Sequence, residues 1–230
     1  MKAYALIMAG GAGQRMAAEI PKQFLLLHGR PILMHTLSAF YQYSPTVKLV
    51  LVIPRQQQEL WQKLCIQYSF DLPHLLAYGG KERFDSVRNG LQKIAGSEGF
   101  DADNSLIAVH DAVRPLVGVH LIETCYQTAE RYGSAIPVTP LVDSLRRRDG
   151  EWSLAENRLD FCAVQTPQVF NAKALLEAYR QPYHPSFTDD ASVMEAAGHR
   201  IRLVEGHRKN SKITVPEDLL LAEYWLKQSK

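Results

Sequence analysis

Buried strands alternate with amphipathic helices through most of this sequence, and that alternation constrains the fold more than any other feature. Residues 4–8, 47–53 (VKLVLVI) and 105–109 (SLIAV) are almost continuously apolar, which is typical of strands buried on both faces of a sheet. Between the first two, apolar residues recur at helical spacing over residues 32–43. This order predicts an α/β fold with a doubly wound, mainly parallel, Rossmann-like sheet.

The remaining elements follow the same two patterns. We predict helices at residues 56–68, 84–94, 119–132, 173–179 and 191–197, and strands at residues 75–78, 134–138 and 200–204. A last helix is predicted to begin at the sequence TVPE, residues 214–217, which combines a capping box with proline in the first turn.

The alternation stops between about residues 139 and 169. This segment has no long amphipathic pattern and includes the charged, turn-rich sequence RRRDG at residues 146–150. It predicts an extended β-arm inserted into a single domain that spans residues 1–230. Because an arm that leaves the body of a protein needs something to contact, the simplest partner is a second copy of the chain, and we predict a homodimer.

Composition excludes several classes of partner. Lys plus Arg number 26 and Asp plus Glu number 24, and this balance argues against a protein dedicated to nucleic acid. No apolar run approaches the ~20 residues that cross a bilayer, so no membrane association is expected. The cysteines, Cys65, Cys125 and Cys162, lack the spacing of a metal site and indicate free thiols in a reducing cytoplasm.

A glycine-rich loop follows the first strand directly. It consists of Ala9, Gly10, Gly11, Ala12 and Gly13. Such small residues let backbone N–H groups approach an anion closely, and the cations Arg15 and Lys22 that follow suit a polyphosphate. The loop lacks the Gly-Lys-Ser/Thr of a Walker A motif, and Met16 stands where a dinucleotide fingerprint needs its third glycine.

Two further segments carry candidate site residues. In GGKERFDSV, residues 79–87, the glycines permit close approach of a ligand and Ser86 can hydrogen-bond the edge of a base. In VHDAVRP, residues 109–115, Asp111 follows a buried strand, where a carboxylate beside a triphosphate is a natural Mg²⁺ ligand. His110 is expected to be a packed, hydrogen-bonded residue rather than a catalytic one.

These segments together resemble a known family. AGGAGQRM with PKQF looks like the signature of the sugar-phosphate and polyol-phosphate nucleotidylyltransferases, and GGxxRxxSV followed by HDxxRP narrows the resemblance to the 2-C-methyl-D-erythritol 4-phosphate cytidylyltransferase family. Later sequences agree with that family in order and spacing, namely QTPQ at residues 165–168, TDDAS at 188–192 and NSKIT at 210–214. The resemblance covers essentially the whole chain. It implies a Mg²⁺-dependent nucleotidyltransferase that moves CMP from CTP to this polyol phosphate in the non-mevalonate isoprenoid pathway.

The resemblance also implies roles for individual residues. Arg15 and Lys22 match transition-state stabilisers, while Arg158 and Lys212 match residues that position the acceptor phosphate. The residues that match the nucleotide-binding region are Ala9, Gly10, Gly11, Ala12, Gly13, Gly80, Arg83 and Ser86. Those that match acceptor contacts are Asp111, Arg114, Ser144 and Thr188, with Asp111 also near the metal. In the family the excursion that contains Arg158 is a dimer arm, which would share the acceptor site between subunits.

Two other functions stay open. Gly10, where many family members have alanine, also resembles the loop of ribitol-5-phosphate cytidylyltransferases. A non-catalytic nucleotide-binding module would bind CTP without turnover, although Arg15, Lys22, Asp111, Arg158 and Lys212 together speak against it.

Overall fold

The computed structural model describes residues 1–10 and 20–228 of the chain. The α-helices in this part are Ile32–Tyr43 (α1), Gln58–Gln67 (α2), Arg83–Ala95 (α3), Val119–Tyr132 (α4), Ala172–Ala178 (α5), Asp190–Ala196 (α6) and Pro216–Gln228 (α7). The first six strands are Lys2–Met8 (β1), Leu26–Leu27 (β2), Arg30–Pro31 (β3), Lys48–Ile53 (β4), Leu75–Tyr78 (β5) and Ser105–Asp111 (β6). The later strands are Ser134–Pro140 (β7), Leu145–Asp149 (β8), Trp152–Glu156 (β9), Cys162–Val164 (β10), Gln168–Asn171 (β11) and Leu203–Glu205 (β12). Within these residues, none of the helices has the length and apolar character needed to cross a membrane.

Eight of the strands form one sheet, in the order β10–β7–β11–β6–β1–β4–β5, with β12 paired to β7. Strands β6, β1, β4 and β5 run parallel to one another, and β12 runs parallel to β7. The predicted α/β fold with a mainly parallel sheet is therefore confirmed. Strand β11, which is four residues long and lies antiparallel between β6 and β7, was not predicted, nor were the two-residue strands β2 and β3, which pair only with each other.

The two faces of the sheet carry separate apolar cores, because alternate residues of a strand point to opposite faces. In β1, Ala5 and Ile7 belong to the core under α1, α2 and α4, while Tyr4, Leu6 and Met8 belong to the core under α3, α5 and α6. Burial on both faces explains why this strand is a continuous apolar run rather than an alternating one.

The register of the central strands brings their carboxyl ends together. Met8 lies opposite Asp111 of β6 and Val52 of β4. The backbone of Ala9 donates to the carbonyl of Val52 at 2.8 Å, and the backbone of Ala112 donates to the carbonyl of Met8 at 3.0 Å. The start of the glycine loop and Asp111 therefore emerge side by side at one edge of the sheet.

Residues 141–161 leave the main sheet after β7. Strands β8 and β9 pair only with each other in a hairpin whose turn includes Gly150, with φ of +58°. The chain then returns as β10, which pairs antiparallel with β7. Opposite residues of a hairpin share a face, so Leu145, Trp152 and Leu154 lie on one face, where Trp152 is 82% exposed.

The last helix begins close to its predicted start, but its cap differs from the predicted one. The carboxylate of Asp218, rather than that of Glu217, accepts from the backbone and the hydroxyl of Thr214, both at 2.7 Å. It also accepts from the backbone of Val215 at 3.0 Å. The acid one residue further along reaches both N–H groups, so the predicted pairing was wrong by one position.

Candidate active site

A cavity of about 270 Å³ opens at the edge of the sheet where β1 and β6 end. Its walls are the start of the glycine loop, the loop before α3 and the segment that leads to α7. Eight residues singled out in the sequence line it, namely Ala9, Gly10, Lys22, Gly80, Arg83, Ser86, Asp111 and Lys212. Segments more than 200 residues apart in the chain thus contribute to one cavity, from Met8 to Lys212.

One wall of the cavity is formed by residues 80–86, which we call the glycine wall, and Ser86 holds it in shape through two hydrogen bonds. Its hydroxyl accepts from the backbone of Gly80 at 3.0 Å and donates to the carbonyl of Glu82 at 3.0 Å. A side chain at Gly80 would bring its Cβ to 2.4 Å from the Cβ of Asp85, a separation that packed atoms do not reach. Glycine is therefore required at this position so that the loop can close onto the first turn of α3.

Arg83 is held in the cavity wall by a carboxylate from another element. Its guanidinium forms two hydrogen bonds with Asp190, at 3.0 and 2.6 Å, in the bidentate geometry that fixes both groups. Asp190 is fully buried at the start of α6 and also accepts from the hydroxyl of Tyr179 at 2.6 Å. Burial, reinforced by the charge of Asp190, raises the pKa of Tyr179 well above its ordinary value, so this hydroxyl remains a donor.

Asp111 is the centre of a second charged group. Its Oδ2 atom lies 3.1 Å from Arg114 Nε and 3.1 Å from Lys212 Nζ. Burial alone would raise the pKa of Asp111, but the charges of Lys212, Arg114 and Arg83 outweigh burial and hold the pKa well below its ordinary value. The carboxylate is therefore ionised at neutral pH. Arg114 also donates to the carbonyl of Asn210 at 2.8 Å, which ties Asp111 to the segment that carries Lys212.

His110 lies behind Asp111 and is completely buried. Its two ring nitrogens lie 3.2 Å from the carbonyl of Arg114 and 3.0 Å from the hydroxyl of Thr166. Because a carbonyl can only accept, Nε2 of the neutral ring carries the proton and Nδ1 accepts from the Thr166 hydroxyl, which itself accepts from the backbone of Asp111 at 3.1 Å. Burial lowers the pKa of His110 to about 3, which agrees with a packed, neutral residue.

Lys22 enters the cavity from a single turn of helix, Lys22–Phe24. The next residue, Gln23, is buried and donates to the carbonyl of Ala9 at 2.9 Å and to the side chain of Gln57 at 2.6 Å. Gln23 thus joins the turn that carries Lys22 to the start of the glycine loop.

The other predicted site residues lie elsewhere. Arg158 is exposed on the segment between β9 and β10 and donates to the carbonyl of Val142. Ser144 and Thr188 are also outside the cavity, and neither lines it within the described part of the chain. Gly11, Ala12, Gly13 and Arg15 lie outside the described residues.

Five lining residues were not among those assigned from the sequence. They are Met8, Gln23, Lys81, Glu82 and Val113. Each is next to an assigned residue in the sequence, so the motifs indicated the correct segments. The sequence does not show which of two neighbouring residues in a loop faces the cavity. Asp190 was also unassigned, although it lies in the TDDAS sequence, because only the fold brings it to Arg83.

Comparisons with known proteins show which family the chain belongs to. A family model described as 2-C-methyl-D-erythritol 4-phosphate cytidylyltransferase matches residues 3–228. The enzyme of that name from Bacteroides thetaiotaomicron is 46% identical over 219 residues, covering 95% of this chain and 97% of the relative. The enzyme of that name from Geobacillus kaustophilus is 36% identical over 222 residues, covering 95% of this chain and 94% of the relative.

Solved structures give the same result at the level of the fold. The crystal structure of the enzyme of that name from Thermus thermophilus is similar with a TM-score of 0.77 at 33% identity, covering 99% of this chain and 100% of that one. The resemblance noted in the motifs is thus confirmed along the whole sequence. The chain belongs to the 2-C-methyl-D-erythritol 4-phosphate cytidylyltransferase family.

Proposed function

We propose that this chain transfers CMP from CTP to 2-C-methyl-D-erythritol 4-phosphate, giving 4-diphosphocytidyl-2-C-methyl-D-erythritol and pyrophosphate in the non-mevalonate route to isoprenoid precursors. One observation carries the proposal: a single cavity is lined by the glycine wall, a carboxylate and three cations, namely Asp111, Lys22, Arg83 and Lys212. The chain that forms this cavity belongs to a cytidylyltransferase family. Such a cavity offers N–H groups and cations to a polyphosphate and a carboxylate to a metal ion.

The reaction is a displacement at phosphorus. An oxygen of the acceptor phosphate forms a bond to the α-phosphorus of CTP, and the bond from that phosphorus to the oxygen bridging to the β-phosphate breaks. Pyrophosphate carries away that electron pair. Because phosphate monoesters have a second pKa near ~6, the nucleophile is already largely dianionic at neutral pH and needs no general base.

The barrier is therefore electrostatic, since a dianion must approach a triphosphate. We propose that Lys22 and Arg15 stabilise the negative charge that develops at the α-phosphate in the transition state. Lys212 and Arg158 are assigned to the incoming phosphate, which they would hold in line for attack. Arg114, Ser144 and Thr188 remain predicted acceptor contacts.

Recognition of the nucleotide is assigned to the glycine wall. Gly80 and Ser86 would meet the base, with the backbone of Ala9 and Gly10 opposite them. Lys81 and Glu82, which line the same wall, are added to the residues expected near the nucleotide. Arg83 would contribute positive charge from a position that Asp190 fixes.

Asp111 fits the Mg²⁺ that this chemistry requires. It is ionised and it lines the cavity. A single protein carboxylate is typical of Mg²⁺ sites, where substrate phosphates and water complete the coordination. When bound, the ion would neutralise charge on the triphosphate.

We also propose that the active form is a homodimer joined through the arm of residues 139–169. The hairpin exposes two large apolar side chains, Trp152 and Leu154, which a second copy would cover, on a face that also carries the ion pair of Arg147 with Glu156. Arg158 does not line the cavity of its own chain and donates to the carbonyl of Val142, so a contribution to the partner's cavity is the simplest way for it to contact an acceptor. The three free cysteines support a reducing, cytoplasmic location.

A direct assay distinguishes the candidate functions. Purified protein with CTP and Mg²⁺ is given either 2-C-methyl-D-erythritol 4-phosphate or ribitol 5-phosphate, and pyrophosphate release is measured. We expect release with the first acceptor at a kcat/KM at least about tenfold higher than with the second. A preference for ribitol 5-phosphate would favour the alternative acceptor, and CTP binding without release would favour a non-catalytic module.

A further inference from the structure

A second cavity lies apart from the candidate active site. Its volume is about 850 Å³, and it shares no lining residue with the cavity that holds Asp111. It is bounded by α1, by the segment 115–121 that opens α4, by the loop 205–209 after β12, and by α7. We call it the α1–α7 cavity. Its size is within the range of pockets that bind small organic molecules.

The floor of the α1–α7 cavity is apolar. Ala39, Val117 and Leu121 are buried there, and Leu116 and Leu226 are partly buried. An apolar floor in a concave site favours a ligand with a hydrocarbon part, because burying that part removes apolar surface from water.

The rim carries positive charge. Two cationic side chains, Arg30 and Lys209, line the cavity, whereas Glu205 is the single acid in its lining among the described residues. Lys209 is positioned by the ring of Trp225, whose centroid lies 5.0 Å from its Nζ atom. A cationic rim above an apolar floor is complementary to a molecule with an anionic head and a hydrocarbon tail.

The start of α4 also favours a ligand with a negatively charged head. The 14-residue helix begins at Val119 after Gly118, which provides no side-chain cap, and no acidic residue occupies the first turn. Gly118, Val119 and His120 all line the cavity. The unpaired N–H groups of a helix start favour a negative charge, so this wall supports the cations of the rim.

From the floor, the rim and the helix start we infer that the α1–α7 cavity binds a small, free amphiphilic phosphate, that is, a short alkyl or prenyl chain carrying a phosphate or diphosphate head. The head would lie between Lys209, Arg30 and the start of α4. The tail would lie on Val117 and Leu121. The inference concerns a second site and does not depend on the reaction proposed above.

Binding of geranyl diphosphate, measured by isothermal titration calorimetry, tests the inference. We expect saturable binding that Lys209→Glu weakens at least about tenfold, because a charge-assisted contact is lost and replaced by repulsion. Lys63→Glu, an exposed lysine of α2 outside the cavity, is the matched control and is expected to stay within about twofold. Geraniol and inorganic pyrophosphate, each offered alone, are expected to bind at least about tenfold more weakly than the intact probe.

A second pair of variants shows which of the two cavities binds geranyl diphosphate. Lys22→Glu changes the active-site cavity and is expected to leave the affinity for geranyl diphosphate within about twofold, whereas Ser38→Trp, which fills the α1–α7 cavity from α1, is expected to abolish binding. Circular dichroism confirms that each variant folds. The inference is overturned if Lys22→Glu alone weakens binding, if neither Lys209→Glu nor Ser38→Trp does, or if the protein binds phosphatidylglycerol vesicles but not the free probe.

Discussion

Lys22 is one of the cations that we propose to act on the reacting phosphate. It projects from a short helical turn into the cavity, and the buried side chain of Gln23 fixes that turn against the carbonyl of Ala9. A flexible lysine would lose much of its electrostatic effect to side-chain entropy, but a lysine on a fixed turn acts as a preorganised charge.

Replacing Lys22 by alanine is expected to lower kcat by roughly a hundredfold or more, since one charged transition-state contact contributes about 3 kcal/mol. The measurement is steady-state release of pyrophosphate at saturating substrates. Lys63→Ala, which removes an exposed lysine of α2, serves as the control. A kcat within a few-fold of the parent value would contradict the proposed role of Lys22 in stabilising the transition state.

Asp111 has a structural role that is separable from its proposed chemical one. Its side chain is 12% exposed and that of Arg114 is 11% exposed, so their pair is largely screened from water. Replacing Asp111 by asparagine keeps the shape but leaves a nearly buried guanidinium without a counter-charge, at a cost of about 3 kcal/mol. For a chain of this size we expect the Tm to fall by roughly 6 to 12 °C.

Asp103→Asn is the matched control for this change, because Asp103 forms its ion pair with Lys173 at the surface, where such pairs contribute little. Calorimetry at neutral pH compares the two variants. Since the folded pKa of Asp111 lies below its ordinary value of 3.8, the stabilisation is present above that value and is lost as pH falls further. Equal Tm losses in the two variants would contradict the role of burial.

At the scale of elements, the sequence predicted the strand ends better than the partners of the side chains. Continuous apolar runs identify β1, β4 and β6, and parallel pairing then brings Ala9 and Asp111 to one edge without further information. The strand β11 was missed because its sequence, QVFN, has only two apolar residues between polar ends, and its first half falls in the segment assigned to the arm. The contact of Arg83 with Asp190 joins residues 107 positions apart, and no local pattern specifies it.

The arm allows a test in which two inactive variants restore activity together. If Arg158 serves the partner's cavity, a mixed dimer of Lys22→Ala and Arg158→Ala contains one cavity with both residues intact. Random exchange of equal amounts makes half of the dimers mixed, so about a quarter of the parent activity is expected. If Arg158 serves its own cavity, every site in the mixture lacks one residue and no activity returns.

The subunit exchange needs two supporting measurements. Analytical ultracentrifugation of the parent should give a dimer, and Trp152→Glu with Leu154→Glu, at the two large exposed apolar side chains of the hairpin, should shift it to the monomer. Arg148→Glu, on the same hairpin but outside that pair of apolar residues, is the control and should leave the dimer intact. A dimer that survives the first pair of substitutions would contradict the arm as its interface.

At the scale of the whole molecule, buried neutral histidines link stability to pH. Burial lowers the pKa of His35, His74 and His110, the last to about 3. In the unfolded chain these rings regain their ordinary value of 6.5 and take up protons that the folded state excludes. The stabilisation is complete above that value and decreases as pH falls from 6.5 toward the folded pKa.

We therefore expect the free energy of unfolding to fall between about pH 7.5 and about pH 5.5, with about 1 kcal/mol of the loss coming from His110. Urea titrations in EDTA at the two pH values measure it without interference from a bound metal. His110→Gln lowers stability at both pH values but should remove that part of the pH dependence, because the titrating group is gone. His184→Gln, on an exposed loop, should leave the dependence unchanged. An identical pH dependence in His110→Gln and the parent would show that His110 is not held neutral by burial, and the orientation inferred for its hydrogen bonds to Thr166 and Arg114 would fail with it.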